Sequence, residues 1–227
     1  MNEAEQAKGK DGIYNGALDN ASGCAGILAV ARAWGKLDPK PKRSAMFLFV
    51  GSEEKGLLGS AYYAAHPIVP LQKTLANINV DELAVRERTE DVEVVGSGQS
   101  DLEDRLAEAL ARDGRHTAPD SESQNGYYYR SDHFNFARVG VPALYVKAGR
   151  IVPGKPENYL KDLADAWRLN DYHRPSDEYD PSWTCEGGAA DAQALFRVGV
   201  AVAEGSAWPR WKDGSEFKAR REASLKR

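Results

Sequence analysis

The sequence predicts an α/β fold: a mostly parallel, twisted sheet covered by helices on both faces. Three observations predict it. Short apolar runs that suit buried strands recur at 45–50, 75–80, 92–95 and 141–146. Helix-period segments stand between and after them, at 23–37, 102–112 and 187–204. No internal repeat or low-complexity tract divides the 227 residues, so they read as one domain.

Composition narrows the class. Hydrophobic residues make 42 % and charged residues 28 %, the balance of an ordinary globular domain. Thirty Lys and Arg against 34 Asp and Glu leave a net charge of -4, which speaks against a nucleic-acid partner. No apolar run approaches the roughly 20 residues a membrane helix needs. The polar, mixed-charge N-terminus is no signal peptide, so the chain as written reads as cytoplasmic. Cys24 and Cys185 cannot build a disulfide framework and lack zinc-knuckle spacing.

Residues 1–12, polar and carrying Gly9 and Gly12, read as a disordered N-terminal segment; 13–211 form the domain; 212–227 form a charged tail expected to fray. Asn15-Gly16 marks a turn. The loop 19–23 leads into a helix with Ser22 as its N-cap, an apolar stripe of Ile27, Leu28 and Ala31, and Cys24 packed within it. The basic connection 36–43, with Pro39 and Pro41, feeds Ala45–Val50, an unbroken apolar run suited to a strand buried on both faces. A short helix over 57–65 follows, then a strand over 75–80 that ends on Asp81. Leu102, Leu106 and Leu110 recur every four residues and predict a helix through Arg112. The strand 141–146 is preceded by a tyrosine-rich stretch, and the irregular segment 149–180 holds three prolines and a helix near 160–169.

In open α/β sheets, ligands bind beyond the carboxyl ends of the strands. Glu53 and Glu54 follow the first strand, Asp81 follows the second, and Asp19 precedes a helix. Carboxylates gathered on one rim repel one another unless a cation neutralises them. His173, in the irregular segment, could add an imidazole ligand. Each signal alone has a plainer reading: a Glu-Glu pair is more often a solvated loop, and a carboxylate after a strand is more often a cap. His66 and His116 read as surface or packed residues. No Gly-x-Ser-x-Gly elbow marks a serine hydrolase.

Five pieces in order change that balance: Asn15-Gly16-Ala17-Leu18-Asp19-Asn20-Ala21-Ser22-Gly23, Gly51-Ser52-Glu53-Glu54-Lys55-Gly56-Leu57-Leu58-Gly59-Ser60, Asn79-Val80-Asp81, Tyr129-Arg130-Ser131-Asp132-His133 and Asn170-Asp171-Tyr172-His173. From about Asp11 to Ser224 the chain resembles the family-28 zinc metallopeptidases, which include bacterial aminopeptidases with two zinc ions. The resemblance implies a three-layer, zinc-exopeptidase-like fold. It makes Asp19 a bridging metal ligand, places Glu54 and His173 at one zinc and Asp81 at the other, and makes Glu53 the general base. That base takes a proton from water activated by the metal and passes it to the leaving amine. Asp132, His133 and Tyr129 fall behind the ligands or on the substrate side. Tyr127, Tyr128 and Tyr129 line the pocket or pack as an aromatic cluster.

The family's His-x-Asp motif, expected shortly before the bridging aspartate, has no counterpart here. One zinc site then keeps Asp19, Glu54 and His173, while the second lacks its histidine; the chain reads as N-terminally truncated. A missing strand would leave an open sheet edge, which a homo-oligomer could repair. The leading expectation is a zinc-dependent aminopeptidase acting on peptide or aminoacyl substrates, with no nucleic-acid or membrane partner. Three readings stay open beside it: an esterase or amidase on the same site, a one-zinc enzyme similar to glutaminyl cyclases, and a non-catalytic remnant that binds a partner.

Overall fold

The computed structural model describes residues 12–226. Among these, four strands form one mixed sheet: β1 (Asn77–Asn79), β2 (Asp91–Val94), β3 (His116–Pro119) and β4 (Ala143–Ala148). The order is β1-β4-β2-β3. β4 runs parallel to β1, with Ile78 opposite Leu144, and antiparallel to β2, with Glu93 opposite Lys147. β2 and β3 are parallel. Seven α-helices accompany them: α1 (Gly23–Gly35), α2 (Leu58–Ala65), α3 (Leu102–Ala111), α4 (His133–Arg138), α5 (Tyr159–Asn170), α6 (Glu186–Glu204) and α7 (Lys218–Leu225).

Side-chain alternation along β4 assigns the layers. Leu144 and Val146 face a core built with Leu102, Leu106 and Leu110 of α3 and Leu195, Val198 and Val202 of α6. Ala143 and Tyr145 face the other way, onto Tyr128, Ala137, Trp211 and Phe217. The four-residue leucine spacing of α3 thus buries one stripe, and Leu102, Leu106 and Leu110 are fully buried. No helix among the described residues is long and apolar enough to cross a membrane.

Several expectations need correcting. Ala45–Val50 takes no regular secondary structure and joins no sheet, and its backbone bonds to no other backbone group among the described residues. An apolar cavity of about 650 Å³, lined by Trp34, Phe47, Phe49, Ile78, Leu195 and Phe196 among others, separates it from β1. The segment is held instead from its ends and one face. Arg43 donates to the carbonyls of Val202, Ala203 and Gly205, Gly59 N–H donates to Gly51, and Trp34 meets Phe47 edge-on. Met46 and Phe49 are exposed, so the apolar run is not buried on both faces.

Ser22 does not cap α1. Its hydroxyl donates to Leu18 and accepts from Leu83, and the Asn20 side chain accepts the Gly23 N–H instead. Cys24, expected to be packed, is exposed. The C-terminal segment folds as α7, where buried Arg221 donates to the carbonyls of Leu71 and Thr74. The strand β3, unforeseen from the sequence, is a short polar edge strand ending in proline, where pattern carries little signal. The expected disorder at 1–12 falls almost wholly outside the described residues.

Candidate metal centre

The carboxyl ends of the strands and of the Ala45–Val50 segment deliver the site. Glu53 and Glu54 lie in a single tight turn (Glu53–Lys55) directly after that segment, and Asp81 lies two residues beyond β1. Asp19 sits in the non-helical turn before α1, followed by a cis peptide to Asn20. His173 lies just beyond α5, its ring stacked on Tyr172 with centroids 3.7 Å apart.

These residues converge. His173 Nε2 lies 2.8 Å from Glu54 Oε1 and 3.2 Å from Asp19 Oδ2. One ligand atom from each of the three lies within 4.8 Å of the others. A tetrahedral zinc with bonds of about 2.1 Å spreads its ligand atoms about 3.4 Å apart, so the donor set fits the ion in type and spacing. Asp81 stands outside this trio. The Ser131 hydroxyl donates to its Oδ2 at 2.7 Å, and Tyr145 lies at 3.5 Å.

The backbone around the trio is held in costly conformations. Four non-glycine residues among those described have positive φ, and three of them flank this site: Ser52 at 60°, Leu57 at 59° and His173 itself at 56°. Such strain persists only where surrounding structure imposes it, and it gathers at functional sites. Gly16 matters for the same turn. Its φ is +59°, and a Cβ there would lie 2.5 Å from the Asp19 carbonyl oxygen.

Crowding of like charges sets the electrostatics. Burial, then Asp81 and Glu54, raise the Asp19 carboxyl to about 6, against a partial lowering by His173. Burial followed by Asp81, Glu54, Asp132 and Asp19 raises Glu53 to about 8. Glu82 reaches about 7 through desolvation by the pocket walls and the charges of Asp19 and Asp81. A rim on which three carboxyls resist ionisation is one that a dication would relieve.

The remaining site expectations divide. Asp132 accepts the Ser60 hydroxyl at 2.5 Å, and its charge helps Glu53 retain a proton. His133 is fully buried between the rings of Tyr128 and Tyr145, at 4.6 and 4.8 Å, and burial drives it down to about 3, so it is neutral. It packs against Tyr145 in the interior. Tyr129 points away, its hydroxyl donating to Glu216, while Tyr127 lines the pocket.

Two residues escaped the sequence reading. Asp177, buried, accepts the backbone N–H groups of Leu18 and Asp19. Glu82 lines a polar pocket of about 240 Å³ with Asp19, Glu53, Glu54 and Asp81. Its place next to Asp81 at a strand end was the one available signal.

An α/β sheet bearing a carboxylate–imidazole cluster at its carboxyl rim defines a class, and the fold is that of the zinc exopeptidases. It superposes on the LapA aminopeptidase of Legionella pneumophila with a TM-score of 0.65 at 22 % identity, covering 86 % of this chain and 48 % of that one. The chain belongs to peptidase family M28, whose family model matches residues 5–196. It is also similar to the mouse (Mus musculus) aminopeptidase NAALADL1, 40 % identical over 77 residues, 32 % of this chain and 10 % of that protein. A vacuolar membrane protease of Verticillium alfalfae is 35 % identical over 63 residues, 28 % of this chain and 6 % of the protease. The chain thus spans about half of LapA and a tenth or less of these two curated relatives.

Proposed function

We propose that the chain is a zinc-dependent hydrolase of the aminopeptidase type, cleaving N-terminal residues from peptides. The observation that carries this reading is the convergence of Asp19, Glu54 and His173 with Glu53 beside them but outside the trio. Asp19, Glu54 and His173 would hold the ion. Bound there, zinc would supply a Lewis acid and lower the pKa of the attacking water towards ~7.

Glu53 is the general base. Neighbouring carboxylates raise its proton affinity; a zinc ion beside them would offset that repulsion and leave Glu53 ionised, able to accept a proton from the attacking water and to hand it to the departing amine nitrogen. Ser60 donates to Asp132, and Ser131 orients Asp81. A second reading, a one-zinc aminoacyl cyclase, is favoured by one feature: the trio is an Asp-Glu-His set with Asp81 left out of it.

Hydrolysis of leucyl 4-nitroanilide, with zinc and with chelator, tests the proposal. Zinc-dependent turnover is expected, and Glu53→Gln should lower kcat by about 10²–10⁴-fold. Turnover unaffected by chelator or by Glu53→Gln would overturn it. Cyclisation of an N-terminal glutaminyl peptide, its α-amine attacking the side-chain amide with release of ammonia, without leucyl 4-nitroanilide hydrolysis, would select the cyclase reading.

A further inference from the structure

The pocket beside the metal centre holds more than carboxylates. Arg130, Lys147 and Arg168 also line it. Arg168 is already engaged, its guanidinium donating to both carboxylate oxygens of Glu122 at 3.2 and 3.0 Å. Arg130 and Lys147 have no carboxylate within 4.0 Å among the described residues. Both rest against one ring: the Lys147 ammonium lies 3.5 Å from the Tyr127 centroid and the Arg130 guanidinium 5.8 Å from it.

Lys147 is the more telling of the two. It is half-buried on β4, and its cross-strand neighbour Glu93 is taken by Arg150 at 2.7 Å and by Ser121 at 3.0 Å. Desolvation pulls its pKa down, while Glu82, Glu122 and Asp120 favour its charge from beyond bonding range. A partly desolvated ammonium without a bonded anion is costly unless a ligand supplies one. Tyr127 holds it in place by its ring face, which leaves its N–H groups free.

We propose that Lys147 and Arg130, set on the Tyr127 ring, form a carboxylate-binding subsite of the peptidase pocket. The inference rests on the peptidase reading above and names the substrate class: short peptides that carry a carboxylate close to the scissile bond. A pocket of about 240 Å³ has room for one or two residues, so the anion belongs to the substrate's own second residue. It is either the C-terminal carboxylate of a dipeptide or an acidic side chain; the recognition chemistry is the same.

Three substrates separate these: Leu-Ala, Leu-Ala amide and Leu-Glu amide. The wild-type protein should prefer at least one carboxylate-bearing substrate over Leu-Ala amide by about tenfold in kcat/KM, mostly through KM, as loss of a charge-assisted hydrogen bond implies. Preference for Leu-Ala assigns the terminal carboxylate, and preference for Leu-Glu amide assigns the side chain. In Lys147→Met and in Arg130→Gln the ratio should fall towards one; Arg130 is exposed, so its substitution leaves the core untouched. Calorimetric titration of zinc-loaded Glu53→Gln protein with the same three ligands reads the subsite without turnover. Absence of turnover on every substrate would sink the peptidase reading alone. Equal kcat/KM or equal binding for all three ligands would overturn the subsite.

Discussion

The carboxylate of Asp177 accepts the backbone N–H of Asp19 at 3.0 Å through one oxygen and that of Leu18 at 2.9 Å through the other. Its own carbonyl accepts from Ala17 at 3.1 Å. Asp19 is thus aimed by a residue 158 positions away in sequence, on the loop that also carries His173. Two members of the trio are therefore positioned together. Asp177→Ala should leave secondary structure intact and weaken zinc affinity by about 10–100-fold, as loss of a ligand-orienting partner does. Competition with a chromogenic chelator measures it.

Stability should depend on pH in a direction that the carboxyl rim dictates. Asp19 at about 6, Glu82 at about 7 and Glu53 at about 8 all lie above their ordinary values of 3.8, 4.5 and 4.5. The folded state therefore retains protons that the unfolded chain releases. Their contribution is fully present below about pH 4 and is lost as pH rises through 6 to 8. Tm of the metal-free protein should fall between pH 5.5 and pH 8.5. Saturating zinc should raise Tm at both values and more at pH 8.5, where the Asp19 carboxyl is deprotonated. Scanning calorimetry with and without zinc checks both signs.

Away from the site, Arg115 and Asp191 form an ion pair of 2.6 Å with both side chains almost fully buried. Arg115 also donates to Thr89 and Asp91, tying β2 to α6. Asp191→Ala would strand a guanidinium in the interior and should cost about 3–5 kcal/mol in urea unfolding. Replacing both partners by apolar residues of similar size should recover most of that loss.

Ala45–Val50 lacks the ladder bonds that protect a strand. Amide hydrogens of residues 45–50 should exchange within seconds, while those of β2 and β4 remain protected for orders of magnitude longer. Hydrogen exchange resolved by peptide mass distinguishes them. Slow exchange across 45–50 would mean that the segment pairs in solution.

Sequence pattern served well where structure is local or strongly periodic. The leucines of α3, the long α6 and the strand β1 just before Asp81 were all legible from the sequence pattern. Ala45–Val50 was misread because composition reports apolarity and not whether a neighbour lies alongside. The trio was legible chiefly through the five ordered motifs, since no local rule links Glu54 with His173. Asp177 was invisible for a physical reason: it acts on backbone N–H groups, which leave no trace in the residues they belong to. The inward turn of His133 and outward turn of Tyr129 likewise depend on packing against Tyr145 and on Glu216.

Zinc-dependent hydrolysis here requires Asp19, Glu54 and His173 to form one metal site. Equilibrium dialysis of the folded protein against trace zinc, read by elemental analysis, tests that directly, with His173→Ala alongside. About one zinc per chain, lost in the variant while its fold persists, is the predicted result. A folded wild-type protein that retains no zinc, or a His173→Ala variant that retains it fully, would contradict the account.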